Sequence, residues 1–399
     1  MRLVHLSDLH LGYRQYLRLT PTGINQREAD VARTFQRAID QVIALEPDIV
    51  VIAGDVFHTA RPTNAAILHA FRQFLRLRNA LPKAAIVLIG GDHDTPRTTE
   101  TGSILALFEQ LGLHVAAGEA RRFPFPDKEL SILAVPGVPG VMPSLLPDAD
   151  ARKNILLMHA DVDDVVPRYQ AEMDRAAVRV SRADLGASRW DYVALGHYHV
   201  HQQVDENAWY SGSIDYTSLD VWGDLAAVEE LGRGAGKGFI EFDLERGTHQ
   251  FHRVPPSREF VDLKAISARN LSVAEIDAAI RRAVEKCKGG IDDKVVRLIV
   301  RDIPRHVVRE LDHRAIREYK HRALHFHLVP HRPEPLPRTG QGAPTRRPSV
   351  VDVVREQLRT RELPPDLDRE RLVELGLKYL ADAEAAPAAV AALEPESGS

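Results

Sequence analysis

IVVIAGD, residues 49–55, is a run of β-branched and apolar side chains that stops at a glycine and an aspartate. An apolar run without polar alternation reads as a strand buried on both faces, as in parallel sheets. A carboxylate at the carboxyl end of such a strand sits where α/β sheets gather their ligands. The same grammar recurs four times. Leu3–Ser7 leads into Asp8-Leu9-His10, and Ile86–Gly91 into Asp92-His93-Asp94. Ile155–Met158 leads into His159, and Tyr192–Leu195 into Gly196-His197-Tyr198-His199. Between the early strands lie helical patterns: Asn25–Leu45 through Val31, Phe35, Ile39 and Val42, then Thr63–Leu77, then a short Ser103–Leu111. A strand at Leu130–Val135 and a hairpin of Gly238–Phe242 with Gln250–Val254 complete an α/β sandwich.

Five strand ends in one sheet system can aim their carboxylates and imidazoles at a single place. The inventory is Asp8, His10, Asp55, Asp92, His159, His197 and His199. Oxygen and nitrogen donors without thiolate suit manganese, iron or zinc. Seven exceed the need of one ion, whereas two ions sharing one carboxylate, about 3.5–4 Å apart, use all of them. Other candidates have plainer explanations. His5 reads as a packed or exposed strand residue. His325 and His327 alternate with Leu324, Phe326 and Leu328, as on a two-faced strand. Asp161, Asp163 and Asp164 read as solvated loop charges or caps.

Outward from this core the pattern changes near Phe260. Val261–Ala265, Ala274–Cys287, Lys294–Val300, His313–Tyr319 and Leu324–Val329 read as strand, helix, strand, helix and strand. The expected organisation is a catalytic domain at 1–258, a small α/β capping domain at 259–330, a Pro-rich linker at 331–348, helices at 349–384 and a disordered tail at 385–399. The chain has 399 residues, 44% hydrophobic and 27% charged, ordinary for a soluble fold. A net charge of −4 gives no global basic field for nucleic acid, although a local basic groove and bound cations can supply one. Cys287 is the lone cysteine, which fits a reducing cytoplasm and excludes an intrachain disulfide. No apolar run is long enough to cross a bilayer, and the first strand leaves no room for a signal peptide.

Asp8-x-His10, Gly54-Asp55, Gly91-Asp92-His93-Asp94, His159 and Gly196-His197-x-His199 together resemble the calcineurin-like metallophosphoesterase superfamily, over roughly residues 1–215. Within it, Asp55-Val56-Phe57-His58, the Tyr210-Ser211-Gly212-Ser213 segment and the domain order resemble the SbcD-type double-strand-break repair nucleases. The resemblance implies a metallophosphoesterase β-sandwich flanked by helices and a metal-dependent DNA exo- or endonuclease using two divalent ions, manganese foremost. One ion would be held by Asp8, His10, Asp55 and His199, the other by Asp55, Asp92, His159 and His197. His93 would face the scissile phosphate, Asp94 would orient its ring, and His58 would act near the substrate. The family has asparagine where this chain has Asp92. The resemblance further implies docking of 349–384 on an SMC-like ATPase (SbcC type) and a homodimer through Thr63–Leu77 and Ser103–Leu111. Arg14, Arg18 and Arg61 are candidate phosphate contacts near the motifs. Arg281, Arg282, Arg305, Arg309 and Lys320 could lay a basic face on the duplex. The rival functions are a metallophosphoesterase for a small nucleotide or another phosphodiester, and a non-catalytic scaffold.

Overall fold

Period-two burial explains the architecture of the first 254 residues. In the strand Arg2–Leu6, Leu3 points to one core, while Val4 and Leu6 point to another. Ile49 and Val51 repeat the first face, and Val50 and Ile52 the second. Such strands need cover on both sides.

The computed structural model describes residues 1–96, 102–140, 142–163, 165, 178–232, 235–333, 350–360 and 368–390. The strands in chain order are β1 (Arg2–Leu6), β2 (Ile49–Ile52), β3 (Ala85–Ile89), β4 (His114–Ala116), β5 (Arg121–Phe125), β6 (Leu130–Val135), β7 (Lys153–His159), β8 (Asp161–Val162), β9 (Arg179–Val180), β10 (Tyr192–Gly196), β11 (Gln202–Asp205), β12 (Ala208–Tyr210), β13 (Gly238–Asp243), β14 (Thr248–Arg253), β15 (Phe260–Ser267), β16 (Val295–Arg301) and β17 (His325–Pro330). The helices are α1 (Gln26–Leu45), α2 (Asn64–Ala80), α3 (Arg182–Leu185), α4 (Val221–Glu230), α5 (Val273–Glu285), α6 (Arg305–Glu310), α7 (His313–Arg322), α8 (Val350–Thr360) and α9 (Arg369–Val390).

Two six-stranded sheets form the sandwich, ordered β14-β13-β1-β2-β3-β4 and β11-β12-β10-β7-β6-β5. Strands β1 to β4 are parallel, as are β6, β7, β10 and β12. Leu3, Val51, Val87, Ile155, Leu157 and Ala194 fill the space between the sheets. Each fully buried aliphatic side chain of this kind contributes about 1.5–3 kcal/mol. On the outer face of the first sheet, α1 lays down Val31, Phe35, Ala38, Ile39 and Val42. Asn25 starts that helix by accepting from the amides of Arg27 and Glu28.

The parallel sheet β15-β16-β17 packs on α5 and α7 through Ile276, Ile280, Val284, Ile316 and Tyr319. Ser272 and Glu275 form a capping box that starts α5. Tyr216, Val221, Phe260, Val295 and Leu324 join this sheet to the sandwich. A buried polar node reinforces the joint: Arg258 donates to both oxygens of Asp30 (2.8 and 2.9 Å), and Arg27 pairs with Asp215 at 2.9 Å.

By contacts the chain divides at Pro333. Beyond it, α8 and α9 pack on one another, with Gly376 close against Leu358. The alanine-rich end of α9 continues to Val390, past the expected start of a disordered tail at 385, because alanine favours helix. The linker from 334 to 348, the tail from 391, Asp164 and Ser349 lie outside the described residues. No described helix is long and apolar enough to cross a membrane.

His5 is fully buried in the sandwich, with Nδ1 3.1 Å from the Tyr192 hydroxyl. Burial, opposed by a backbone hydrogen bond at Leu195 and assisted by His201, pushes its pKa from 6.5 down to about 3. Below pH 6.5 the unfolded chain therefore takes up a proton that the folded chain refuses. The contribution is intact above 6.5 and is lost as pH falls towards 3, by up to about 1.4 kcal/mol per pH unit. Urea titrations between pH 7 and 4.5 should show this extra slope in the parent and its absence in His5→Gln. Equal slopes would contradict a neutral buried His5.

Candidate metal centre

Parallel pairing aligns the carboxyl ends of β1, β2 and β3 in one sheet and those of β7 and β10 in the other. Leu6 lies opposite Ile52, Ile52 opposite Leu88, and Gly196 opposite His159. The loops after β1 and β2 then zip together. Asp8 N donates to the Gly54 carbonyl (3.1 Å), His10 N to Asp55 (2.9 Å) and Leu11 N to Val56 (2.9 Å). Asp8, His10, Asp55 and His197 all have positive φ, at 52°, 45°, 51° and 114°. A left-handed residue other than glycine costs roughly 1–2 kcal/mol, and four clustered here mark strain held at a functional site. Glycine is needed where loops meet. A Cβ on Gly91 would lie 2.0 Å from Asp55 Oδ1, and one on Gly196 1.8 Å from the Ala53 carbonyl oxygen.

All seven side chains anticipated from the strand ends converge. His10 Nε2 faces His199 Nε2 at 2.9 Å and Asp55 Oδ2 at 3.6 Å. His159 Nε2 lies 2.8 Å from Asp92 Oδ1 and 3.8 Å from Asp55 Oδ2. His197 Nδ1 is 3.5 Å from Asp92 Oδ1, and its amide donates to Asp8 (3.2 Å). Donor atoms of Asp8, His10 and His199 lie within 4.8 Å of one another, as do those of Asp92, His159 and His197. Asp55 groups with Asp8 and His159 on one side, and with Asp92 and His93 on the other.

The electrostatics call for cations. Burial pushes the Asp8 carboxyl up and Asp55 well above its usual range, with Asp92, Asp8 and Asp94 adding to the rise at Asp55. Burial, followed by neighbouring imidazoles, drives His10 and His199 far below 6.5. Two neutral imidazoles nose to nose at 2.9 Å suit a shared positive guest. Burial alone would lower His159, but Asp55 and Asp92 outweigh it and raise that pKa. His159 Nδ1 donates to the Ala53 carbonyl at 2.8 Å, which aims Nε2 into the site, as metal-binding histidines require. The donor set and its tautomers fit divalent ions.

Beside this cluster, His93 Nδ1 donates to the His58 carbonyl (2.9 Å), and the two rings stack 5.2 Å apart. The expectation that Asp94 orients the His93 ring is corrected. Asp94 is buried and accepts from the amides of Val56 (2.9 Å), Phe57 (2.8 Å) and Gly91 (3.1 Å), so it braces the loops. Burial, chiefly, with His93 lowers the His58 pKa to about 4. Among the candidate arginines, Arg61 lines a 980 Å³ groove shared with His58, Asp92 and His93. Arg14 pairs with Glu28 at 2.7 Å. Arg18 is corrected from substrate contact to joint: it donates to the carbonyls of His321 and Ala323 at the end of α7. Asp161, expected to be solvated, is buried against the Tyr198 hydroxyl and lies 3.3 Å from Arg179. Asp163 pairs with Arg179 at 3.2 Å. His325 stacks on Tyr16 at 4.0 Å, away from the cluster. Sequence reasoning missed Asp224 and Lys237, buried behind His199, because single charges within a short helix and before a strand carry no motif.

Residues 1–201 match the family described as calcineurin-like phosphoesterase. The chain is similar to the DNA double-strand break repair protein Mre11 of Methanococcus maripaludis, 28% identical over 265 residues, 61% of this chain and 63% of that protein. The protein of the same name from Sulfurisphaera tokodaii is 29% identical over 271 residues, 65% of this chain and 64% of its own. That of Methanopyrus kandleri is 24% identical over 330 residues, 76% and 65% respectively. The chain spans less than two thirds of the length of each of these relatives.

Gly91→Ala should lower stability by about 1–3 kcal/mol, as overpacking does, and lower any uptake of divalent ions by displacing Asp55. Urea denaturation and metal analysis check both, and an unchanged variant would contradict the close approach of Gly91 to Asp55.

Proposed function

The chain belongs to the calcineurin-like phosphoesterase family, and from that premise we propose that it is a DNA nuclease working with two divalent ions, manganese foremost. The convergence of seven oxygen and nitrogen donors at five strand ends carries this reading. Asp8, His10, Asp55 and His199 hold one ion. Asp55, Asp92, His159 and His197 hold the other. Asp92, where the family has asparagine, adds a negative charge that tightens the hold on its ion. DNA as substrate is supported by the similar proteins, each of which carries a DNA double-strand break repair name. Charge supports it too. Residues 259–330, proposed as a capping domain over a catalytic domain at 1–258, hold 15 Lys and Arg against 11 Asp and Glu, in a chain of net charge −4. Arg281, Arg282, Arg305, Arg309 and Lys320 are exposed there.

When bound, the ions polarise the phosphoryl oxygens and make water a nucleophile at neutral pH. The protein's own residues do the rest. With Nδ1 committed to the His58 carbonyl, His93 offers Nε2 to the partly open groove. As an imidazolium it donates a proton to the departing sugar oxygen. His58 stacks on that ring and fixes its plane. Arg61 contributes a phosphate contact at the rim.

The α8–α9 pair is proposed to dock on an SMC-like ATPase, since Leu375 and Tyr379 on α9 are exposed. Leu68 and Leu75, exposed on α2, support pairing with a second copy of the chain. The single Cys287 favours a reducing cytoplasm.

Linear duplex DNA incubated with manganese should be degraded, and small phosphodiesters spared. The reverse preference would favour a small-nucleotide enzyme. Neither activity, with no ions bound, would favour a scaffold. Replacing His93 with alanine should keep both ions and slow cleavage about 100-fold or more. Cleavage at the parental rate would remove His93 from the chemistry.

A further inference from the structure

Behind His199 lies a charged pair that neither the family motifs nor the proposed mechanism uses. Lys237 is 2% exposed and Asp224 1%. The Lys237 ammonium donates to the His199 carbonyl (2.8 Å), Ser213 Oγ (2.9 Å) and Asp224 Oδ2 (3.1 Å), and lies 4.9 Å from the Tyr216 ring centre. Its three protons are thus all committed. The His199 carbonyl also accepts from the Ser213 amide at 3.1 Å. That backbone is clamped from two elements.

The ring is treated differently. His199 Nε2 points at His10 within the cluster, so Nδ1 points away from it. Nδ1 is buried, and among the described residues it has no hydrogen-bond partner. The carboxylate nearest to it is Asp224 Oδ2, at 3.9 Å. Histidines that bind metal through one nitrogen usually donate the other N–H to a carboxylate or carbonyl, which fixes tautomer and ring angle. His159 already has such a partner in the Ala53 carbonyl. For His199 the carboxylate placed nearest to Nδ1 is that of Asp224, a short shift from hydrogen-bond distance, and Lys237 balances its charge. Asp224 sits on α4, whose Val221 packs with Phe260, Val295 and Leu324. The carboxylate is therefore delivered by an element anchored on the three-stranded sheet.

We infer that Asp224 is a positioning residue that accepts a hydrogen bond from the Nδ1–H of His199, with Lys237 as its counter-ion. This rests on the two-metal reading above and extends it to residues outside the motifs. The pair selectively tunes the ion held by Asp8, His10, Asp55 and His199, and leaves the other ion alone.

The test is manganese titration of the full-length chain by calorimetry, with electron paramagnetic resonance to separate coupled pairs from single ions. In Asp224→Leu combined with Lys237→Met, both charges leave together, so no unpaired charge stays buried. Asp224→Asn keeps an acceptor oxygen but strips Lys237 of its counter-ion. The double variant should keep its melting temperature and lose 10- to 100-fold in affinity for one ion, with the coupled signal giving way to a single-ion signal. The Asn variant should do the opposite: a lower melting temperature, with affinity within a few-fold of the parent. A role confined to folding would move melting temperature alone in both. Parental affinity for both ions in the double variant, or equal weakening of both, overturns the proposal. Should that variant not fold, a 10-fold or greater loss of affinity in Asp224→Asn overturns it. A parent chain that binds no manganese sinks the two-metal reading first, and this inference with it.

Discussion

Two carboxylates held out of water, Asp8 and Asp55, share one pocket with the partly exposed Asp92, and the rest of this structure is arranged around their mutual repulsion. Asp8, Asp55 and Asp92 end adjacent parallel strands, so sheet pairing itself forces them together. Burial makes each charge costly. Burial raises the carboxyls of Asp8 and Asp55, whereas His159 and His197 hold Asp92 low against its burial, and Asp55 and Asp92 raise His159. Bound cations would relieve the two raised carboxyls. A site of this kind is a poor way to stabilise a protein and a good way to hold ions, which is why its cost points to function.

The strain of the backbone serves the same end. Left-handed conformations at Asp8, His10 and Asp55 turn the chain sharply at the strand ends where these side chains enter the pocket, while Leu9 between the first two packs into the core. The interlocked loops after β1 and β2 hold those turns, and Asp94 braces them by binding three amides. The Asp94 carboxylate thus has a structural task one turn away from the chemistry. His93 is left to the His58 carbonyl. Further out, the Arg27, Asp30 and Arg258 node and the Tyr16–His325 stack fix the small sheet against the sandwich.

Much of this was legible in the chain. Strands carrying the cluster are largely apolar runs, so their ends could be read within a residue or two, and the residues at those ends are neighbours in space. The helices with wide apolar faces, α1 and α2, were equally plain. Short strands such as β4 and β12, three residues each, were not, because their pairing is set by partners distant in sequence. Adjacency also misled. Asp94 follows His93 in sequence, yet the turn after β3 sends it inward. Arg18 lies near a motif, yet its guanidinium closes the end of α7. Asp224 and Lys237 escaped notice since neither belongs to a periodic or spaced pattern. The packing of α4 places Asp224 behind His199, and the start of β13 places Lys237 there.

The central claim is that these seven side chains enclose two cations. Anomalous diffraction at the manganese edge, from crystals grown with the metal, tests it most directly. Two peaks about 3.5–4 Å apart are expected, one among Asp8, His10 and His199, the other among Asp92, His159 and His197, with Asp55 touching both. A single peak, or density elsewhere on the molecule, would contradict the account.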